Sequence, residues 1–301
     1  MALSTHSKQA RRLAAALEPC IGQVYFAPEA HAAYEQLGFN ASPASFDGLA
    51  MPDGAAYFTS RGSLMGKVSP SVVAAAFAVF NPEAVVPAVA YGWSLTDDAI
   101  IRARRREGGA AQLERVVADA DASRVRAIAD SLARALEPLT PEGRPLFAGA
   151  RDHLGEAGSH DAWLHFFEVG DALREYRGDS HTASWVSAGV GATEIGLVSE
   201  AYMGLPPRTY SRSRAWSDAQ FDAAADRARS RGWFDAAGAL TDEGRAAREA
   251  IEVATDHQLV PALRALGDEL DDLLATLEPW GAAMRAAHGY PGGPGDLWPN
   301  R

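Results

Sequence analysis

Residues 231–252 read RGWFDAAGALTDEGRAAREAIE, and this stretch decides the fold of the C-terminal part of the chain. Aromatic and apolar pairs on either side of a Gly-containing turn predict two short strands, at 233–234 and 239–240. Thr241 is a typical N-cap, and a long helix is therefore expected from Thr241 toward Leu259.

A further helix is predicted just before this stretch, over residues 217–232, with Ser217 as its N-cap. A helix, a strand pair and a second helix in this order indicate a winged helix-turn-helix. Elsewhere helical periodicity dominates and long alternating strand patterns are absent. We therefore predict a mainly α, multi-helical fold with a C-terminal winged helix-turn-helix-like segment.

The sequence Leu205-Pro206-Pro207 interrupts the helical pattern and gives the best domain boundary. It predicts a helical ligand-binding domain over 1–205 and a winged-helix-like segment with a long C-terminal helix over 206–289. Residues 290–301 are rich in Gly and Pro and are expected to form a flexible tail.

Composition limits the possible classes of protein. The 301 residues include one cysteine, Cys20, so one chain can form neither an internal disulfide nor a cysteine-based metal site. The N-terminus lacks the apolar core of a signal peptide, and the longest weakly charged stretch, 183–198, is too short to cross a bilayer. These features predict a cytoplasmic protein with no membrane partner and no metal.

The 217–232 helix would read DNA if it entered a major groove, and its arginines at 227, 229 and 231 could then reach phosphates. These DNA-contact candidates are Arg227, Arg229 and Arg231. Asp218, Asp222 and Asp226 are spaced by four, however, and line one face of the same helix. The net charge of −11 also repels a polyanion. Nucleic acid is therefore a disfavoured partner, and the alternative is a packing or homodimerisation module.

The densest polar cluster is LREYRGDSH, residues 173–181. One interpretation is structural: Gly178 ends a helix in the left-handed conformation and Asp179 caps the next helix. The other is functional: Arg177 and His181 flank this corner and meet an anionic ligand at the positive end of the second helix. A histidine near that end would tend to be neutral, which suits a base or a metal ligand.

Two further clusters could line a pocket. Tyr25, His31 and Tyr34 lie around one predicted helix start, and His31 is four residues from Glu35, a spacing compatible with a metal ligand pair. Two residues do not make a metal site, and such a histidine is more often buried and hydrogen-bonded. Arg61 lies in a loop rich in Gly and Ser and could either cap a pocket or form a surface turn.

Four phrases carry a resemblance to a known family: YFAPEAHAAYEQLGF (25–39), SRGSLMGKVSPSVVAAAFAVFNP (60–82), LREYRGDSH (173–181) and RGWFDAAGALTDEGR (231–245). They resemble an uncharacterised actinobacterial family of helix-turn-helix proteins, and the last phrase is similar to the MarR-type winged helix with a shorter wing. The resemblance implies a helical fold and supplies no catalytic residues. At Leu164-His165-Phe166 the sequence departs from the Trp-His phrase typical of that family.

The leading hypothesis is a small-molecule-binding helical protein, a ligand sensor related to MarR-type regulators. The second hypothesis is a DNA-binding transcriptional regulator, and the third is an enzyme that uses His181 or His31 as a base or metal ligand. No motif indicates a particular cofactor. The predicted ligand-binding residues are Tyr25, His31, Tyr34, Arg61, His165, Arg174, Arg177, Asp179 and His181.

Overall fold

The computed structural model describes residues 4–46, 48–156 and 161–293, with nothing stated for the Phe46 side chain. The chain is mainly α, as the sequence predicts. Helices α1 to α5 span Thr5–Ile21, Pro28–Glu35, Gly54–Gly62, Pro70–Phe77 and Pro82–Leu95. Helices α6 to α10 span Asp98–Val116, Ala122–Leu136, Pro145–Asp152, Ala162–Ser187 and Ala192–Tyr202. Helices α11 to α14 span Asp218–Ser230, Asp242–Gln258, Val260–Leu266 and Glu269–Ala286.

The predicted helix starts in the C-terminal part are confirmed by capping hydrogen bonds. The Ser217 hydroxyl accepts from the backbone N–H of Gln220 at 3.3 Å, and the Gln220 side-chain oxygen accepts from the backbone N–H of Ser217 at 2.9 Å. The Thr241 hydroxyl accepts from the N–H of Gly244 at 3.0 Å. Each side chain satisfies a backbone donor that has no partner within its helix, and these residues therefore fix where α11 and α12 begin.

The predicted helix end at Gly178 is wrong. Helix α9 runs through this position without a break, and Gly178 is not among the glycines with a positive φ angle. Asp179 instead caps a different helix, since its Oδ2 accepts from the N–H groups of Leu146 at 2.9 Å and Phe147 at 3.0 Å. These amides belong to the first turn of α8, whose Pro145 starts the helix.

The prediction that Arg61 lies in a loop is also wrong. Strands β1 (Ser45–Phe46) and β2 (Leu49–Ala50) form a small antiparallel hairpin, and α3 follows it. The Asp53 carboxylate caps α3 by accepting from the N–H of Ala56 at 3.0 Å. Arg61 therefore lies in the last turn of a helix, where its position is fixed.

Hydrophobic clusters join parts of the chain on both sides of Leu205. The largest cluster packs α1, α7 and α9 against α13 and α14, and the buried Phe166 and Leu273 both belong to it. The second cluster combines the end of α9 with α10, α11 and α12 and includes Trp185 and Phe221. A third cluster, which includes Phe77 and Leu146, lies wholly before Leu205, and the predicted boundary stays a prediction.

The C-terminal segment has a minimal wing. Phe234 and Leu240 form one isolated antiparallel bridge, and the N–H of Asp235 donates to Ala239 O at 2.9 Å. Both Trp233 and Phe234 are buried against the second cluster. Helices α10 and α11 pack together, but residues 203–217 connect them, far more than the about three or four residues of a usual helix-turn-helix turn.

The start of the predicted C-terminal tail packs against the rest of the protein. Tyr290, at the start of the 290–301 segment, packs edge-on against the Phe26 ring at 5.9 Å. Residues 294–301 lie outside the described residues. Within the described ranges, no helix combines the length and the apolar character that crossing a membrane requires.

Candidate ligand-binding site

A cleft of about 640 Å³ lies between α1, α9, the end of α10 and α12, and we call it the main cleft. A smaller cavity of about 220 Å³, the side pocket, lies between α4, α8, α9 and α10. Arg61, Gly178, His181 and Tyr210 line both spaces, so the two meet beside the middle of α9. The combined space is large enough for a ligand of ordinary metabolite size.

Buried ion pairs hold one wall of the main cleft. The Glu175 carboxylate, which is fully buried, accepts from Arg61 at 2.9 and 2.6 Å and from Arg174 at 3.2 Å. Burial alone would raise the pKa of Glu175, but the two guanidiniums outweigh it and lower the pKa to about 2. Arg174 also forms a two-bond pair with Glu18, at 2.9 and 3.0 Å. The pairs fix Arg61 and Arg174 in position.

A second group at the main cleft consists of two arginines that share one carboxylate. Arg177 of α9 and Arg248 of α12 both donate to Glu252, and Arg248 Nε donates to the Ser199 hydroxyl at 3.0 Å. Burial would raise the pKa of Glu252, yet the two arginines lower it to about 2. Arg11 of α1 pairs with Glu249 and Asp256 of α12 beside this group, so three arginines and three carboxylates meet here.

Several guanidinium donors on these walls have no acceptor. Across the described residues, no hydrogen bond is made by Arg61 Nη1, Arg177 Nη1 or Arg248 Nη2. These three nitrogens are also absent from the fully buried unpaired atoms, so each keeps some exposed surface on a residue that lines the main cleft. Such donors are suited to a ligand that carries negatively charged oxygens.

His181 presents an unprotonated ring nitrogen to the same space. Its Nδ1 lies 3.2 Å from the Thr255 hydroxyl oxygen, and that hydroxyl donates to Ile251 O at 2.9 Å. With the hydroxyl proton on Ile251 O, Nδ1 carries the ring proton and Nε2 is left as an acceptor. Burial, with help from Arg248 and Arg177, lowers the pKa of His181 to about 4. The neutral ring can accept a hydrogen bond or a proton from a ligand.

The side pocket combines an apolar face with polar side chains, among them Arg61, Arg214 and one carboxyl group. Phe77, Leu146, Ile195 and Trp216 line it together with Asp179. Burial raises the pKa of Asp179 to about 7, although the two amide hydrogen bonds from α8 oppose the change. Within the described part of the chain Oδ1 of Asp179 forms no hydrogen bond, and it remains available to the side pocket.

The structure brings together five of the nine predicted ligand-binding residues directly. Arg61, Arg174, Arg177, Asp179 and His181 line the main cleft, the side pocket or both. Tyr25 lies behind this wall, where its hydroxyl accepts from Arg174 at 3.3 Å and from Arg105 at 3.2 Å. It supports the cleft without lining it.

The other predicted residues lie away from both spaces. His31 Nε2 donates to Tyr25 O at 2.9 Å, and burial lowers its pKa. Tyr34 is buried against the Phe39 ring at 6.4 Å, and burial raises its pKa to about 12. His165 lies near the start of α9, where its Nε2 is 3.4 Å from an oxygen of Asp130. None of these three side chains lines either space.

Several residues of the main cleft were missed in the sequence. Arg248 and Glu252 form an i,i+4 pair that is indistinguishable in sequence from a surface pair. The tyrosines at 202, 210 and 290 come from a helix end and two connections, and no local pattern predicts that they meet α1 and α9. The missed lining residues include Arg11, Glu18, Tyr202, Tyr210, Arg248, Glu252 and Tyr290.

The exposed face of α11 is acidic, as its spacing predicts. The side chains of Asp218, Asp222 and Asp226 are 66%, 67% and 74% exposed. The three arginines proposed for DNA contact are engaged within the protein. Arg227 and Arg231 pair with the buried Glu194, and Arg229 pairs with Asp226.

The described residues include no group of three or more His, Cys, Asp or Glu side chains that could hold a metal ion. The molecule is thus a helical protein with a ligand-sized, arginine-lined cleft beside its C-terminal helix pair. The chain matches a helix-turn-helix family over residues 10–291, and it belongs to that family. No curated protein and no solved structure matches it.

Proposed function

We propose that the chain is a small-molecule-binding protein whose ligand occupies the main cleft and the side pocket. The observation that carries this proposal is the convergence of accessible guanidinium donors and His181 Nε2 on one space of about 640 Å³. Polar groups that converge on a concave space without partners in the protein are typical of binding sites.

The position of the cleft between two parts of the chain supports a role as a ligand sensor. Helix α12 contributes Arg248 and Glu252 to the cleft, and the same helix follows directly after the 233–240 turn. A ligand would therefore contact both the N-terminal helices and the helix-turn-helix part of the chain. A relation to MarR-type regulators, a cytoplasmic location and a homodimer are further expectations of this proposal.

Native mass spectrometry and thermal unfolding with a metabolite library test the proposal. Ala14 of α1 lines the main cleft, so Ala14→Trp should fill it and abolish the ligand-induced rise of the unfolding midpoint. Ala219→Trp, on the exposed face of α11, is the matched control and should leave the rise intact. Equal responses of both variants to every stabilising ligand would place binding outside the cleft.

DNA binding is the second candidate, and membership of a helix-turn-helix family favours it. The acidic face of α11 and the long 203–217 connection count against docking of α11 in a major groove. A gel shift with genomic promoter fragments at several salt concentrations tests it. Binding that strengthens when Asp218 and Asp222 are changed to Asn would assign the contact to this face.

Catalysis by His181 is a third candidate, favoured by its neutral ring and free Nε2. His31 lies outside both spaces and would not contact a ligand bound there. Turnover of an identified ligand, lost in His181→Gln with binding retained, would support an enzyme. Unchanged turnover in that variant would exclude this role for His181.

A further inference from the structure

We infer that the ligand is an amphipathic oxyanion, with a carboxylate or phosphate group in the main cleft and an apolar, ring-sized body in the side pocket. This inference rests on the proposed function and specifies the chemistry of that site. It depends on the charges of the cleft walls, the positions of the free donors and the lining of the side pocket.

Arginines and carboxylates alternate where α1, α9 and α12 meet, and Arg11 there pairs with Glu249 and Asp256. Arg177 and Arg248 are largely shielded from solvent, with 27% and 11% of their side chains exposed, and they share the single carboxylate of Glu252. His181, between them and the side pocket, is neutral and compensates neither. Because one carboxylate serves both guanidiniums, Arg177 and Arg248 each keep N–H groups that an anionic ligand would engage.

Three guanidinium donors without partners belong to residues of the main cleft. Arg61 Nη1, Arg177 Nη1 and Arg248 Nη2 belong to residues on three different helices, α3, α9 and α12. The remaining nitrogens of Arg61 and Arg248 are held by Glu175, Glu252 and Ser199, which fixes the direction of their free N–H groups. Fixed guanidinium groups bind carboxylate and phosphate oxygens well because their geometry matches.

The side pocket limits the size and the polarity of the part of the ligand that does not carry the oxyanion. Its volume of about 220 Å³ is somewhat larger than a cavity of roughly 150 Å³ that accepts benzene. Phe77, Leu146, Ile195 and Trp216 offer apolar contacts there, and His181 lies at the boundary with the main cleft. An apolar ring attached by a short link to the oxyanion would occupy both spaces at once.

Calorimetry on the full chain tests the inference with five probes: phenylacetate, phenyl phosphate, phenylethanol, acetate and inorganic phosphate. At least one of the two aromatic anions should bind at least about tenfold more tightly than phenylethanol, which lacks the charge. It should also bind more tightly than acetate or inorganic phosphate, which lack the ring. The tighter of the two aromatic anions identifies the oxyanion as a carboxylate or a phosphate.

Variants locate the two parts of the ligand. Arg177→Gln and Arg248→Gln should each lower the affinity for the aromatic anion by about tenfold or more. Arg177→Lys should have a smaller effect, because the charge remains. Ala76→Phe, in the side-pocket wall, should lower the affinity for the aromatic anion and leave the affinity for acetate and inorganic phosphate unchanged. Arg229→Gln, on α11, is the matched control, and circular dichroism confirms the fold of each variant.

The failure of the inference is distinct from the failure of the proposed function. If phenylethanol binds as tightly as both aromatic anions, or if the Arg177 and Arg248 variants bind them normally, the ligand class is wrong. The cleft would still be a binding site if a library ligand responds to Ala14→Trp. If no probe binds at millimolar concentration, the ligand class is overturned; if no library ligand responds to Ala14→Trp, the proposed function fails as well.

Discussion

Glu175 is the residue on which the arginine wall of the main cleft depends. It is fully buried and pairs with both Arg61 and Arg174, so neutralising it leaves Arg61 without a carboxylate and Arg174 with Glu18 alone. We expect Glu175→Gln to lower the free energy of unfolding by about 3–5 kcal/mol, as the removal of one partner of a buried ion pair does. Urea denaturation followed by circular dichroism measures the change.

Glu278→Gln provides the matched control for that prediction. Glu278 also pairs with an arginine, Arg12, through two hydrogen bonds, but both side chains are exposed to solvent. Exposed ion pairs contribute little to stability, and this variant should unfold at the wild-type urea concentration. An equal loss of stability in both variants would contradict a special role for the buried pair.

The two titrating groups beside Gly178 should act on stability in opposite directions. His181 has a folded pKa of about 4, below its ordinary value of 6.5, so its contribution is present above pH 6.5 and is lost as the pH falls toward 4. Asp179 has a folded pKa of about 7, above its ordinary 3.8, so its contribution is lost as the pH rises through 7. Between pH 4 and 6.5 the two effects oppose each other.

Single variants should therefore reveal a pH dependence that the wild type conceals. In His181→Gln the free energy of unfolding should fall by roughly 3–4 kcal/mol between pH 4 and 7, at about 1.4 kcal/mol for each unit of pKa difference. In Asp179→Asn it should instead rise over the same interval. Denaturant midpoints measured across this pH range check both signs, and parallel profiles in the two variants would refute the assignment.

Helix α9 shows why local sequence signals predict some helix ends and miss others. The caps at Ser217 and Thr241 are local, because each side chain bonds a backbone group three residues away, and the sequence predicted them. The Gly178-Asp179 pair has the same local pattern, but Asp179 binds the start of α8, 32 and 33 positions away. Long-range contacts outweighed the local signal, and α9 continued.

Substitution of Gly178 tests this continuity. An added Cβ would meet only Glu175 Oε2 at 3.8 Å and Arg61 Nη2 at 3.9 Å, which are ordinary contacts. In a continuous helix Gly178→Ala should raise the free energy of unfolding by about 0.5–1 kcal/mol, because glycine is a poor helix former. At a left-handed helix end the same change would destabilise the protein, so the sign of the effect in a urea titration decides.

Gly108→Ala is the contrasting change in another helix, α6. Its Cβ would lie 2.5 Å from Cα and 2.6 Å from the backbone N of Ala30, where α6 crosses α2. Backbone atoms cannot move aside as a flexible side chain can, so we expect a loss of about 1–3 kcal/mol. A stabilising effect would mean that α2 and α6 are not held this closely.

For the whole molecule, the candidate site could be predicted only in part because distant segments form it. Arg174, Arg177, Asp179 and His181 were found in the sequence as one dense polar cluster and Arg61 as part of a supposed loop, and each lines at least one of the two spaces. The α1 and α12 walls carry no comparable cluster. Their residues become part of the cleft through the packing of α1 and α12 against α9, which no short pattern encodes.

The same packing makes a prediction about the folding unit. Helices α13 and α14 follow the predicted boundary at residue 205, yet they cover α7 and α1 and bury side chains such as Leu17 and Leu132 in the largest hydrophobic cluster. A chain that ends at residue 205 would expose this surface, and burial contributes about 25 cal/mol for each Å². We expect residues 1–205 alone to lack a cooperative thermal transition, whereas the full chain unfolds in one step. Circular dichroism melting distinguishes the two, and a sharp transition of the shortened chain would instead establish an independent N-terminal domain.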